Sequence, residues 1–341
     1  MAVASDVAAA LDQATQRTAA SADDAQLEAW GKQYPMPDER KDDPSNHAKM
    51  LYRPPRSDAA GLLVAAAVIG SWALLFSHAM WGIKLDGPGR SPWWDIVGTF
   101  FGLEFASAGL FITTHDAMHG TVCFRSRRLN DAVGWLAISL YAWFDYGMLH
   151  KKHWEHHGYT GTHDDPDFHS GNSALLPWFC RFMLGYSTPL QFAKIFAWTM
   201  LLQVQEGKGG WEGLVVYDYV DILGWVQGPK GSLGVTYWNL VVYLAGAPIL
   251  AAFRLFYFGT YLPHLPRDGK EEMGWQKSHS FDGHPLLSFL QCYQFGYHWE
   301  HHRWPYAPWW QLHVCKGITR RLEAEGKFSR QPPGKQRLLW E

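Results

Sequence analysis

The densest chemistry in this sequence is carried by histidine. Three clusters stand out among 17 histidines: His115-Asp-Ala-Met-His119, His153-Trp-Glu-His156-His157 and His298-Trp-Glu-His301-His302. The second and third are the same pentapeptide, HWEHH. On a helix, positions i, i+3 and i+4 share a face, so each cluster aims two or three imidazoles in one direction. Eight convergent nitrogens exceed the need of a single tetrahedral zinc. They suit two metal ions, each keeping a position open for a further ligand. The spacing argues against a zincin-type protease, whose H-E-x-x-H motif places glutamate directly after the first histidine. Here Trp154 and Trp299 take that place. Glu155 and Glu300 therefore read as groups beside the ligands or at the surface, not as general bases.

A ninth candidate ligand is His264, in Phe258-Gly-Thr-Tyr-Leu-Pro-His264-Leu-Pro266. The two prolines end an apolar stretch there and hold the imidazole at the level of the other clusters. Around the ligands, Asp116, Asp165 and Asp167 could accept N–H bonds from imidazoles and fix their tautomers. Capping of a turn or helix is the competing role for each aspartate. His150 precedes His153 by one helical turn and reads as a supporting or surface residue. His163 and His169 read as loop residues, and His78 as a packing or hydrogen-bonded histidine.

These clusters need a frame to bring them together. Ala59 to Ile83 contains no Asp, Glu, Lys or Arg, and it is longer than the roughly 20 apolar residues that cross a bilayer core. Ile96–Thr114 carries only Glu104, and Gly234–Phe253 carries no charge before Arg254. Phe182–Gln203 is a weaker span containing Lys194. Ala132–Phe144 is apolar but too short to cross, and is expected to be interfacial or re-entrant. Glu104 and Arg254 are costly in a bilayer and are expected to pair or to face a polar cavity. The expected fold is thus all-α and integral to a membrane: four transmembrane helices and a helical cap holding a histidine-rich two-metal centre. Four spans put every histidine cluster on one face. Arg53, Arg56, Arg125, Arg127, Arg128, Lys151 and Lys152 lie near span ends on that face, which makes it cytoplasmic, or stromal in a plastid.

Composition agrees with this frame: 16% aromatic residues, 19 tryptophans and only 18% charged residues. A net charge of −2 gives no electrostatic reason to expect nucleic acid as a partner. Four scattered cysteines form no CxxC pair, so neither an iron–sulfur site nor a disulfide framework is expected. Three regions are expected: a mobile N-terminal tail over 1–57, a membrane domain over 58–312 and a polar C-terminal tail over 313–341.

HDAMH, HWEHH followed by TG and DPDFH, then FGTYLPH and HWEHHRWPYAPWWQL together resemble the algal β-carotene ketolases. These belong to the membrane desaturase and hydroxylase superfamily. The resemblance covers roughly 94–203 and 234–312. It implies oxygenation at C4 of a β-ionone ring, giving echinenone and canthaxanthin, or astaxanthin from zeaxanthin. It also implies a two-iron centre using O2 and electrons from an external donor, a ferredoxin in a plastid. The metal positions it implies are His115, His119, His153, His156, His157, His264, His298, His301 and His302. The 206–233 loop departs from the family pattern, and so does His313, where proline is usual. Aromatic residues near the ligands, among them Trp143, Phe144, Tyr146, Phe256, Tyr257, Phe258 and Tyr261, are candidates for lining a polyene tunnel. Two other classes stay open at this point: a carotenoid 3-hydroxylase or fatty-acyl desaturase of the same superfamily, and a non-enzymatic membrane metal transporter or sensor.

Overall fold

A computed structural model describes Tyr52 and residues 57–203, 235–266 and 278–326. The N-terminal tail, the 206–233 loop and the end of the C-terminal tail fall largely or wholly outside these residues. Every regular element among the described residues is helical.

Three helices are long and apolar enough to cross a membrane: Asp58–Gly82, Trp93–Met118 and Leu240–His264. The first contains α1, Asp58–Ser77, which runs on through a π-helical turn at His78–Gly82. The second, Trp93–Met118, is α2. Its outer half keeps Trp93, Trp94 and Phe101 exposed, whereas the stretch after Leu103 is buried nearly all round. Burial on all sides marks α2 as the central element, with α1, α3 (Arg127–Ala142) and the third long helix packed around it. Large apolar side chains remain exposed along the outside, including Leu63, Leu74 and Ile249. Such a surface is expected of a helix bundle solvated by lipid tails.

The third long helix, α7 (Leu240–His264), is helical well beyond the apolar run ending at Phe253. Two prolines inside it, Pro248 and Pro263, would each clash with a carbonyl one turn earlier in a regular helix. Each follows a π-helical stretch, at Leu240–Gly246 and Tyr257–Tyr261. The wider turns make room for the rings and let the helix reach His264.

The expected span over Phe182–Gln203 is not one helix. It is divided between α5, Leu175–Tyr186, and α6, Pro189–Gln203. The break falls at Ser187-Thr188, where Pro189 disfavours helical geometry in the residue before it. Mean hydropathy is blind to such a break. The short apolar stretch at 132–144 belongs to α3, which begins at Arg127 and is capped by Ser126 accepting from Leu129 N–H at 3.2 Å. It lies close against α2. At Gly134 a Cβ would come within 2.6 Å of the Ala117 Cβ and the Tyr146 ring, so the approach requires glycine.

Glu104 and Arg254 form the expected pair. Arg254 Nε and Nη2 donate to the two Glu104 oxygens at 2.6 and 2.7 Å, and Nη1 donates to the carbonyls of Leu290 and Gln291 at 3.1 and 2.8 Å. One guanidinium thereby ties α2, α7 and α8 (Pro285–Cys292) together. His78 is bonded to Asp95 Oδ1 at 3.0 Å. The four cysteines are free.

Candidate metal centre

The HDAMH histidines sit at the buried end of α2, with His115 in its last turn and His119 at its C-cap. The first HWEHH lies in α4, Tyr146–Tyr159, which Asp145 caps by accepting from Met148 N–H at 2.7 Å. The second lies in a six-residue helix, α9, His298–Arg303. Tyr293 and Gln294, with φ of 48° and 61°, end α8 in the left-handed region and redirect the chain toward α9. His264 ends α7.

All nine histidines are buried, and their Nε2 atoms converge. One group comprises His115, His119, His153 and His301; the other comprises His156, His264, His298 and His302. Within each group the ligand atoms lie within 4.8 Å of one another. In the first, Nε2–Nε2 separations are 3.1 Å for His115–His301 and 2.6 Å for His119–His153. In the second they are 3.1 Å for His156–His302, 2.8 Å for His264–His298 and 3.0 Å for His298–His302. His157 falls outside both four-membered groups. Its Nε2 is 3.0 Å from that of His301 and 3.2 Å from that of His153, while its ring centroid is 4.3 Å from that of His302.

Imidazole lone pairs brought to such distances repel unless a cation or a proton lies between them. Nitrogens bound at about 2.0–2.1 Å to one ion are spaced at roughly 3.0–3.4 Å; His115–His301, His156–His302 and His298–His302 match that spacing, and His119–His153 and His264–His298 are closer. Protonation is a poor alternative. Burial, followed by the charge of neighbouring imidazoles, pushes His119, His153, His157, His298, His301 and His302 well below the ordinary imidazole range. These rings are neutral, the form a metal requires. The donor set therefore fits two metal ions.

The four expected supporting residues take different places. Asp165 accepts from His156 Nδ1–H at 2.8 and 2.9 Å to its two oxygens, fixing the tautomer that leaves Nε2 free. Gly161 and Asp167 N–H hold that carboxylate at 2.8 and 2.9 Å. Burial pushes the Asp165 carboxyl up, but the adjoining His156 outweighs it and leaves the group below the usual carboxylate range. Asp167 is 3.9 Å from His156 Nδ1 and accepts from the Tyr186 hydroxyl; burial pushes its carboxyl up to about 6. Asp116 comes no nearer than 3.5 Å to His115 Nδ1, and it accepts from Trp309 N–H at 3.0 Å. Turn capping is thus its hydrogen-bonded role. His150 Nε2 accepts from Arg127 Nη2 at 2.9 Å. His163 is exposed, and His169 packs between Phe168 and Trp178.

Glu155 is a surface group, 3.7 Å from Lys151. Glu300 is buried completely; it accepts from Ser280 Oγ and lies 3.5 Å from Lys316 Nζ. The buried Lys316, which also bonds Asp282 Oδ1 at 2.5 Å, anchors α9 from behind and was not expected from the sequence. The available signal is its place on the buried face of α10, Leu312–Ala324, beside Leu312, Cys315 and Ile318.

Below the histidines lies a cavity of about 720 Å³, counting its open mouth. His115, His153, His156 and His298 form its roof, so both groups face one space. Its walls are mostly apolar, with Phe111, Phe144, Phe182, Leu255 and Phe295 prominent. Gly259 keeps it open, because a Cβ there would meet the Phe295 ring at 2.5 Å. Of the seven aromatics expected to line a tunnel, Phe144 lines this cavity. Phe256 packs instead with Phe168 and Trp178, Tyr146 bonds Asp131, and Tyr257 stacks between Phe253 and Tyr261.

The sequence profile of the fatty acid desaturase family matches residues 91–332. A β-carotene 4-ketolase of Protosiphon botryoides is 47% identical over 326 residues, 90% of this chain and 77% of that protein. A zeaxanthin 4-ketolase of Chlamydomonas reinhardtii is 48% identical over 302 residues, 86% of this chain and 62% of that protein. A β-carotene ketolase of Haematococcus lacustris is 44% identical over 340 residues, 92% of this chain and 97% of that protein. With its membrane-length helices and histidine groups, the chain belongs to the fatty acid desaturase family and is an oxidoreductase.

Proposed function

We propose that this protein is a carotenoid 4-ketolase, converting C4 of a β-ionone ring to a ketone. The observation that carries the reading is 44–48% identity, over about nine-tenths of the chain, to relatives named for 4-ketolation. An apolar cavity roofed by both histidine groups agrees with it, because a hydrocarbon ring needs greasy walls and a close approach to the metals.

In this reading two iron ions are held by nine histidines. His115, His119, His153, His157 and His301 serve one, and His156, His264, His298 and His302 the other. Bound there, the irons would supply activation of O2 for attack on an allylic C–H bond. The protein's residues bury nine imidazoles together, orient His156 through Asp165 and exclude water with aromatic walls. The substrate is a carotenoid such as β-carotene or zeaxanthin. Electrons come from an external carrier, a ferredoxin if the location is a plastid membrane. The exposed Arg125, Arg127, Arg128 and Lys151 offer an acidic carrier a docking face near the metal centre. The same charges orient the metal face to the cytoplasm or stroma. We further assign the membrane domain to 58–312, with tails on either side and a fourth membrane-embedded segment made from α5 and α6.

Expression in a host that accumulates β-carotene tests the reading. The expected products are echinenone and canthaxanthin, absent with His302→Ala. Products hydroxylated at C3, or no oxidised carotenoid at all, would overturn it.

A further inference from the structure

Besides the histidines, the otherwise apolar wall of the cavity is interrupted by Tyr141, Thr260, the Asp167 carboxylate and the Tyr186 phenol, and the last two stand as a pair. They are bonded to each other through the Tyr186 hydroxyl. The pair is braced from several sides. Trp178 Nε1 donates to the Asp167 carbonyl at 2.9 Å, and Phe182 packs on the Tyr186 ring at 5.0 Å. Lys152 Nζ lies 4.8 Å from the centre of that ring and donates to Gly185 O at 2.5 Å. Such bracing fixes the position of two groups that a hydrocarbon ring could not engage. Support of the metal ligands does not account for them either. His156 Nδ1 is already bonded to both oxygens of Asp165, while Asp167 stands 3.9 Å away.

A ketone at a methylene carbon requires two oxidations of that carbon. Each round consumes one O2, two electrons from the external carrier and two protons. One oxygen atom enters the C–H bond and the other leaves as water. After the first round C4 carries one hydroxyl and one hydrogen. After the second it is a gem-diol, which loses one water to become the carbonyl. An alcohol that turned over or left between rounds would end the reaction there.

We propose that Tyr186 and Asp167 anchor the alcohol formed in the first round, holding its oxygen so that the remaining C4–H bond faces the metals. The proposal rests on the 4-ketolase reading. The alcohol O–H donates to a carboxylate oxygen of Asp167, a hydrogen bond to a charged group that the parent hydrocarbon cannot make. The pair takes part in no bond change: it selects the ketone over the alcohol by position alone.

The test is the ratio of 4-hydroxy to 4-keto groups among C4-oxidised products, which does not depend on how much enzyme folds. It is measured for the full-length iron-loaded protein acting on β-carotene, at matched low conversion. In Asp167→Asn, which removes the charged acceptor, the ratio is expected to rise about tenfold or more, and in Tyr186→Phe, which keeps the ring packing but removes the hydroxyl that orients Asp167, it is expected to rise in the same direction. An unchanged ratio overturns the proposal, whether total conversion is kept or falls, because a purely structural role lowers both products together. A second measurement needs no variant. In the native protein, a supplied 4-hydroxy-β-carotene is expected to show a KM several-fold below that of β-carotene, whereas equal KM values overturn the anchor. A native protein that forms no C4-oxidised product overturns the 4-ketolase reading itself; an unchanged ratio in the variants overturns the anchor alone.

Discussion

The two HWEHH repeats divide their histidines in opposite order. In the first repeat His153 joins one group and His156 the other; in the second, His298 joins the group of His156 and His301 that of His153. The third positions follow suit, with His157 near His153 and His301, and His302 beside His156 and His298. The centre therefore has an approximate two-fold relation between repeats, completed by His115 and His119 on one side and His264 on the other. The clusters themselves were legible in the sequence, since i, i+3 and i+4 spacing is a local property of a helix. Their partition was not, because pairs such as His115 with His301 depend on how distant helices pack. Among the supporting residues, Asp165 carries a direct prediction. Asp165→Asn weakens the acceptor for His156 Nδ1–H, and iron retention against a chelator is expected to fall about 10- to 100-fold. His150→Ala is expected to leave iron content at the native level, because His150 bonds Arg127 and not a ligand. Metal analysis after dialysis checks both.

At the scale of elements, α2 governs the geometry, since its C-terminal end carries His115 and His119 and it packs against α1, α3 and α7. Its completely buried Glu104 depends on Arg254. Arg254→Met alone leaves that carboxylate buried without its partner, at an expected cost of about 3–5 kcal/mol. The double replacement Glu104→Leu with Arg254→Met removes the stranded charge and is expected to recover much of the loss. Thermal unfolding in detergent distinguishes the cases, and a double variant no more stable than the single would contradict this account. The three long helices could be read from apolar length alone. The division of 182–203 could not, because hydropathy averages over Ser187-Thr188 although Pro189 was in view. Nor did the apolar run ending at Phe253 reveal that π-helical turns carry α7 past Pro248 and Pro263 to His264.

Taken as a whole, the molecule uses a lipid-solvated bundle to hold a polar, metal-binding end against an apolar cavity. Fold class and kind of chemistry followed from histidine spacing and apolar length. The cavity did not, since Phe111, Phe182 and Phe295 come from separate elements and meet only once the bundle closes. At the centre of the proposed function, nine buried imidazoles hold two metal ions over one cavity. The most direct test is the iron content of catalytically active, purified protein. Two iron atoms per chain are expected, with loss of iron and of product together in His302→Ala; active protein holding less than one iron atom per chain would contradict the two-metal centre.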